Sequence, residues 1–139
     1  MNRRAATLLA ILLGTLAACE MLGPPGDLPP DAQLMRAPEA YVAWWQQTEA
    51  CAGIQGDFDA IRWYVVPDAS TFDTPSGPKV GLWSHASDGM RIVIADHYAE
   101  HELVVRHEML HALLDRGGHP REYFNRRCGL TWERWHGDH

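Results

Sequence analysis

Positive charge is scarce in this sequence. Of 139 residues, 12 are Lys or Arg and 18 are Asp or Glu, a formal charge of −6. Arg3 and Arg4 stand in an N-terminal head whose pattern, below, marks it for removal. Without them ten basic residues face the 18 acidic ones, a net −8. A surface this acidic repels polyanions, which counts against nucleic acid or a bare anionic lipid surface as a partner. Cysteine is scarce too, at three residues. If one is used at the N-terminus, at most one disulfide remains. No apolar run is long enough for an ordinary membrane-spanning helix, and the longest, Ala5 to Ala18, falls short. The sequence has no internal repeat and no run of one charge sign. About 120 residues beyond the head make a single domain with a modest core, expected to be a monomer.

Met1-Asn2-Arg3-Arg4 is a basic head, Ala5 to Ala18 an apolar run, and Leu16-Ala17-Ala18-Cys19 its ending. A charged start, a short apolar stretch and small residues before a cut make an export signal. The ending resembles the lipobox of bacterial lipoproteins. That resemblance implies loss of residues 1–18, a lipid such as palmitate on Cys19, and attachment to a bilayer through it. The chain would then work in the cell envelope, facing the periplasm or the exterior. Glu20 follows Cys19. Asp there is the usual signal for inner-membrane retention, so the outer membrane is favoured. Residues 19–37 read as a flexible, lipid-anchored linker, since Met21 to Pro38 holds five prolines and two glycines. Residues 38–139 read as the folded domain. Its two cysteines, Cys51 and Cys128, form an even pair in an oxidising compartment, which reads first as a disulfide. The rival reading makes Cys128 a metal ligand.

Local patterns predict a small α+β domain. Pro38-Glu39-Ala40 opens a helix, with Tyr41, Trp44, Trp45, Thr48 and Cys51 at helical spacing and Gly53 as its stop. Ile61 to Val66 is a strand, ended by Pro67. Asp68 to Lys79 reads as a loop. Val80 to Trp83 and Met90 to Ala95 read as two further strands, joined as a hairpin across Ser84 to Gly89. A three-stranded antiparallel or mixed sheet is therefore expected. Glu100 to Arg116 reads as a second helix, free of Pro and Gly. A short helix over Glu122 to Cys128 follows, with Tyr123 and Phe124 under the turn before it. Trp132 and Trp135 are expected to close the core.

The second helix carries His107, Glu108 and His111, an H-E-x-x-H pattern. Residues four apart share a helix face, so both imidazoles can reach one metal ion. Glu108 leans to the side of the same site, where it can take a proton from a water without being a ligand. Leu103, Leu110 and Leu114 fall on the same face. Two histidines and a carboxylate buried there would be costly without a partner. Zn²⁺ suits neutral imidazoles in tetrahedral geometry, and three protein ligands leave a fourth position for water.

His107-Glu108-Met109-Leu110-His111 resembles the active-site helix of the zincins, the zinc metallopeptidases. The resemblance covers about a third of the chain, by the strand, helix and turn it includes. It implies metal ligands His107 and His111, a general base in Glu108, one zinc ion, and a peptide or protein substrate laid along an edge strand, either Val80 to Trp83 or Met90 to Ala95. The third ligand departs from the metzincin pattern, because Leu114 and Gly117 stand where a Gly and a His would be needed. His119 is the nearest candidate. Helix rise carries the chain about 7.5 Å from His111 to Arg116, and three residues after a Gly117-Gly118 turn span about 10 Å. Fallbacks are Glu133, Glu122, Asp115 and His136. Tyr123 or His136 is expected to stabilise an oxyanion. His85, His97 and His101 read as surface or capping residues. The competing class is a non-catalytic envelope lipoprotein with a structural metal.

Overall fold

The computed structural model describes residues 28–135. Cys19, the head before it and His136 lie outside them. The domain is α+β. Helix α1 (Ala40–Ala52) starts after Pro38 and stops at Gly53, whose φ of 70° is left-handed and favours glycine. It buries Tyr41, Trp45, Thr48 and Ala52, one stripe of the helix.

Strand β1 (Gln33–Met35) pairs antiparallel with β2 (Ile61–Val66). A small hairpin of β3 (Phe72–Thr74) and β4 (Gly77–Lys79) comes next. Strands β5 (Gly81–Ala86) and β6 (Gly89–Ala95) follow. The main sheet has the order β1-β2-β6-β5, with β2 and β6 parallel and the other pairs antiparallel. β2 and β6 are thus interior, and β5 is an edge.

The strands differ from the sequence expectation in three details. The sheet has four strands, not three, because Gln33–Met35, read as linker, joins its edge. Leu34 remains 70% exposed, so backbone pairing to β2 holds this strand, with little help from side-chain burial. Residues 68–79, read as loop, contain the β3–β4 hairpin, anchored by buried Phe72 and by Thr74 Oγ1 donating to the Gly77 carbonyl at 2.6 Å. The β5–β6 connection is tighter than expected. Ala86 faces Gly89, leaving only Ser87-Asp88 between them.

Helix α2 (Glu102–Leu114) lies on the sheet and against α1. It is buried around most of its circumference, including Arg106. Tyr41, Trp45, Trp63, Ile92, Ile94, Val105 and Met109 fill the space between helices and sheet. Among the described residues no helix is long and apolar enough to cross a membrane. The C-terminal Glu122–Arg127 is helical but wide, as Cys128 N–H donates to the Tyr123 carbonyl five residues back. Cys51 and Cys128 form a disulfide that ties this π-helical turn to α1. Trp132 does not close the core. It stands 61% exposed, while Trp135 packs inward beside Leu130 and Phe124.

Candidate metal centre

One turn of α2 separates His107 from His111, and their ring centres are 5.0 Å apart. The helix ends at Asp115, which takes the left-handed conformation at φ 47°. The stop expected at Gly117-Gly118 therefore comes two residues earlier. Asp tolerates this region better than most side chains, and its carboxylate lies 2.6 Å from His85 Nδ1 on β5. Gly118, at φ 75°, completes the reversal. The chain then returns with His119 Nε2 2.9 Å from His107 Nε2. Potential ligand atoms of His107, His111 and His119 all lie within 4.8 Å of one another. Two imidazole nitrogens sharing a tetrahedral ion at about 2.0–2.1 Å are roughly 3.3 Å apart, so the cluster has the dimensions of a metal site.

The outer contacts point the right atoms inward. His107 Nδ1 faces the Leu130 carbonyl at 2.7 Å, and His111 Nδ1 faces the Arg116 carbonyl at 3.0 Å. A carbonyl only accepts, so each Nδ1 carries a proton and each Nε2 lone pair is left for a cation. Burial pushes His111 down to about 4 and lowers His107 as well, against the opposing effect of those carbonyls. Neutral imidazoles are the form a metal needs. The donor set therefore fits a metal ion held by three histidines.

Glu108 is 7% exposed. Burial pushes its carboxyl up to about 8, opposed by the Trp83 backbone N–H, which donates to it, and by the Lys79 ammonium. Gly81 on β5 makes room for this group. A Cβ at position 81 would stand 2.8 Å from Glu108 Oε1 and 2.9 Å from its Cγ. Trp83 also lies parallel to His111, with ring centres 6.1 Å apart.

These groups line a cleft of about 670 Å³ between β5, α2, the Gly117–His119 turn and residues 130–133. Of the two strands considered for its border, β5 is the one. Met90 to Ala95 lies inside the sheet. Phe124 packs beneath the cluster, as expected. Tyr123 does not line the cleft, and its ring lies under the Arg127 guanidinium. Asp115 is engaged with His85, Glu122 with Arg127 and Arg126, and Cys128 with Cys51. Glu133 lines the cleft outside the ligand group. His85 and His97 are exposed, and His101 occupies the first position before α2 without a side-chain capping hydrogen bond.

Gly81 and the carbonyls of Leu130 and Arg116 went unseen in the sequence. Only a helix packed against β5 gives the glycine its meaning, and a backbone carbonyl leaves no mark in residue type. Comparison with family models, with curated proteins and with solved structures finds no match to this chain.

Proposed function

We propose that this chain is a zinc-dependent peptide hydrolase, anchored in the cell envelope by a lipid on Cys19. One observation carries the hydrolase reading: three histidines converge beside a buried glutamate, in a cleft bordered by an edge strand. His107, His111 and His119 would hold Zn²⁺. When bound, the ion lowers the pKa of a water and polarises a carbonyl. Glu108, which lines the same cleft, would take the proton of the attacking water and return it to the departing amine. A nearby cation favours the ionised carboxyl and offsets the burial that disfavours it. The outer edge of β5 can pair with an extended peptide backbone, which gives affinity with little sequence selection. The membrane attachment rests on the lipobox-like ending alone.

The test uses the chain from Glu20 onward, prepared with zinc. The parent should carry about one equivalent, by the ligand count of such sites, and both His107→Ala and His119→Ala should lose it. Glu108→Gln should keep the zinc and lose cleavage of a quenched fluorescent peptide library by about 10²–10⁴-fold, the scale of general-base catalysis. Zinc retained by His119→Ala would overturn the ligand set. A zinc-loaded parent no better than Glu108→Gln at cleavage would make this a metal-holding envelope lipoprotein without catalysis.

A further inference from the structure

Phe124 is buried beneath all three histidines. Its ring centre lies 4.8 Å from that of His107, 4.7 Å from His111 and 4.9 Å from His119. No other aromatic ring among the described residues touches all three. The inter-ring angles are 55°, 47° and 83°, so His107 and His111 lie tilted to the Phe124 ring and His119 is perpendicular to it, all three in contact with one flat group. The segment that carries Phe124 is itself fastened at several points. Leu130 N–H donates to the Phe124 carbonyl at 2.8 Å, and the Leu130 carbonyl in turn faces His107 Nδ1. Arg127 donates to the Ala52 carbonyl at 3.1 Å, and Cys128 is joined to Cys51 of α1.

From this geometry we infer that Phe124 is a positioning residue for the metal site. It is a rigid floor that holds the three imidazoles in one arrangement before the ion arrives. Helix geometry and the Leu130 and Arg116 carbonyls orient His107 and His111, whereas His119 comes from an irregular turn and its side chain is exposed. A flat ring set against all three removes rotamer freedom from the ligands, and freedom lost in advance is not lost again on binding. The inference rests on the metal-site part of the proposed function and not on catalysis.

The experiment is a Co²⁺ titration of the chain from Glu20 onward. It follows the visible absorption of the bound ion, with thermal unfolding of each metal-free variant alongside. Phe124→Leu and Phe124→Met keep an apolar side chain and remove the flat ring. Phe72→Leu, in a separate part of the core, is the control for a Phe-to-Leu change as such. We expect both Phe124 variants to bind Co²⁺ roughly ten- to a hundredfold more weakly, the scale seen when the outer shell of a metal site is lost. Their spectra should broaden or shift, while Phe72→Leu matches the parent. Parent-like affinity and spectrum in either folded Phe124 variant would overturn the floor. So would an equal loss in Phe72→Leu. A parent that binds Co²⁺ but cleaves nothing would sink the hydrolase and leave the floor standing. A parent that takes no Co²⁺ would sink both.

Discussion

A methyl group at position 81 would occupy space that the Glu108 side chain fills. Glu108 is enclosed on the other sides as well, so it cannot swing away without leaving its Trp83 N–H. On backbone grounds alone, Ala would suit a strand better than Gly by roughly 0.5–1 kcal/mol. Gly81→Ala should therefore displace the carboxyl of Glu108 and leave the histidines where they are. Under the proposed hydrolase function, the expected outcome is a kcat about ten- to a hundredfold lower, the cost of a misplaced reacting group, with metal content and KM near the parent's. Steady-state kinetics with parallel metal analysis checks it, and an unchanged kcat would show that Glu108 tolerates the methyl group. At this scale the legible residues were those whose relation is set by the chain itself. His107 and His111 are joined by helix geometry, and His119 by the reach of eight residues. Position 81 is 27 residues from Glu108, and nothing local in Val80-Gly81-Leu82 announces the contact. Trp132 and Trp135 show the same limit, since their spacing does not say which of the two turns inward.

Between elements, Arg106 is the joint. It is a charged residue, yet it is 8% exposed. Its guanidinium donates to Thr48 and Gln47 of α1, each at 3.1 Å, and to Glu102 of α2 at 2.8 Å. It also lies over the Trp135 ring at 6.0 Å. Arg106→Ala leaves Thr48 and Glu102 without this partner and opens a gap between the helices. The expected cost is about 3 kcal/mol, the scale for breaking a buried charged pair whose partner is still partly solvated. Arg106→Met, which fills the space without a charge, should cost clearly less. Chemical denaturation of the two variants checks the order, and equal stabilities would mean that charge and hydrogen bonding, not filled space, join the helices. Elements with strong internal patterns were read with correct type and nearly correct ends: α1, β2, β6 and α2. The missed ones are β1, β3 and β4, each three residues long. Three residues hold no period, and these strands exist because a neighbour supplies their hydrogen bonds.

For the molecule as a whole, the two edges of the sheet divide the work. The N-terminal chain enters at β1 and the cleft lies along β5, with two strands between them. At about 4.8 Å per strand, β1 lies roughly 14 Å from β5, the strand that would receive a substrate under the proposed function. The more demanding problem is the chain beyond α2. Residues 115–135 supply His119, Phe124 and the Leu130 carbonyl, yet they contain no strand and no long helix. Their apolar docking is confined to a small cluster around Ala52, Leu103, Leu110, Phe124 and Leu130. The Cys51–Cys128 bond closes a loop of 77 positions across this weak region. In the chain-entropy account a loop of that length destabilises the unfolded state by on the order of 4 kcal/mol. Cys51→Ser/Cys128→Ser should therefore lower the unfolding free energy by a few kcal/mol, measured by urea denaturation of the metal-free chain. Part of the loss should be local, with earlier hydrogen exchange in 115–135 than in β2 and β6. A double variant as stable as the parent, with 115–135 equally protected, would mean that the small apolar cluster alone carries the segment that bears His119.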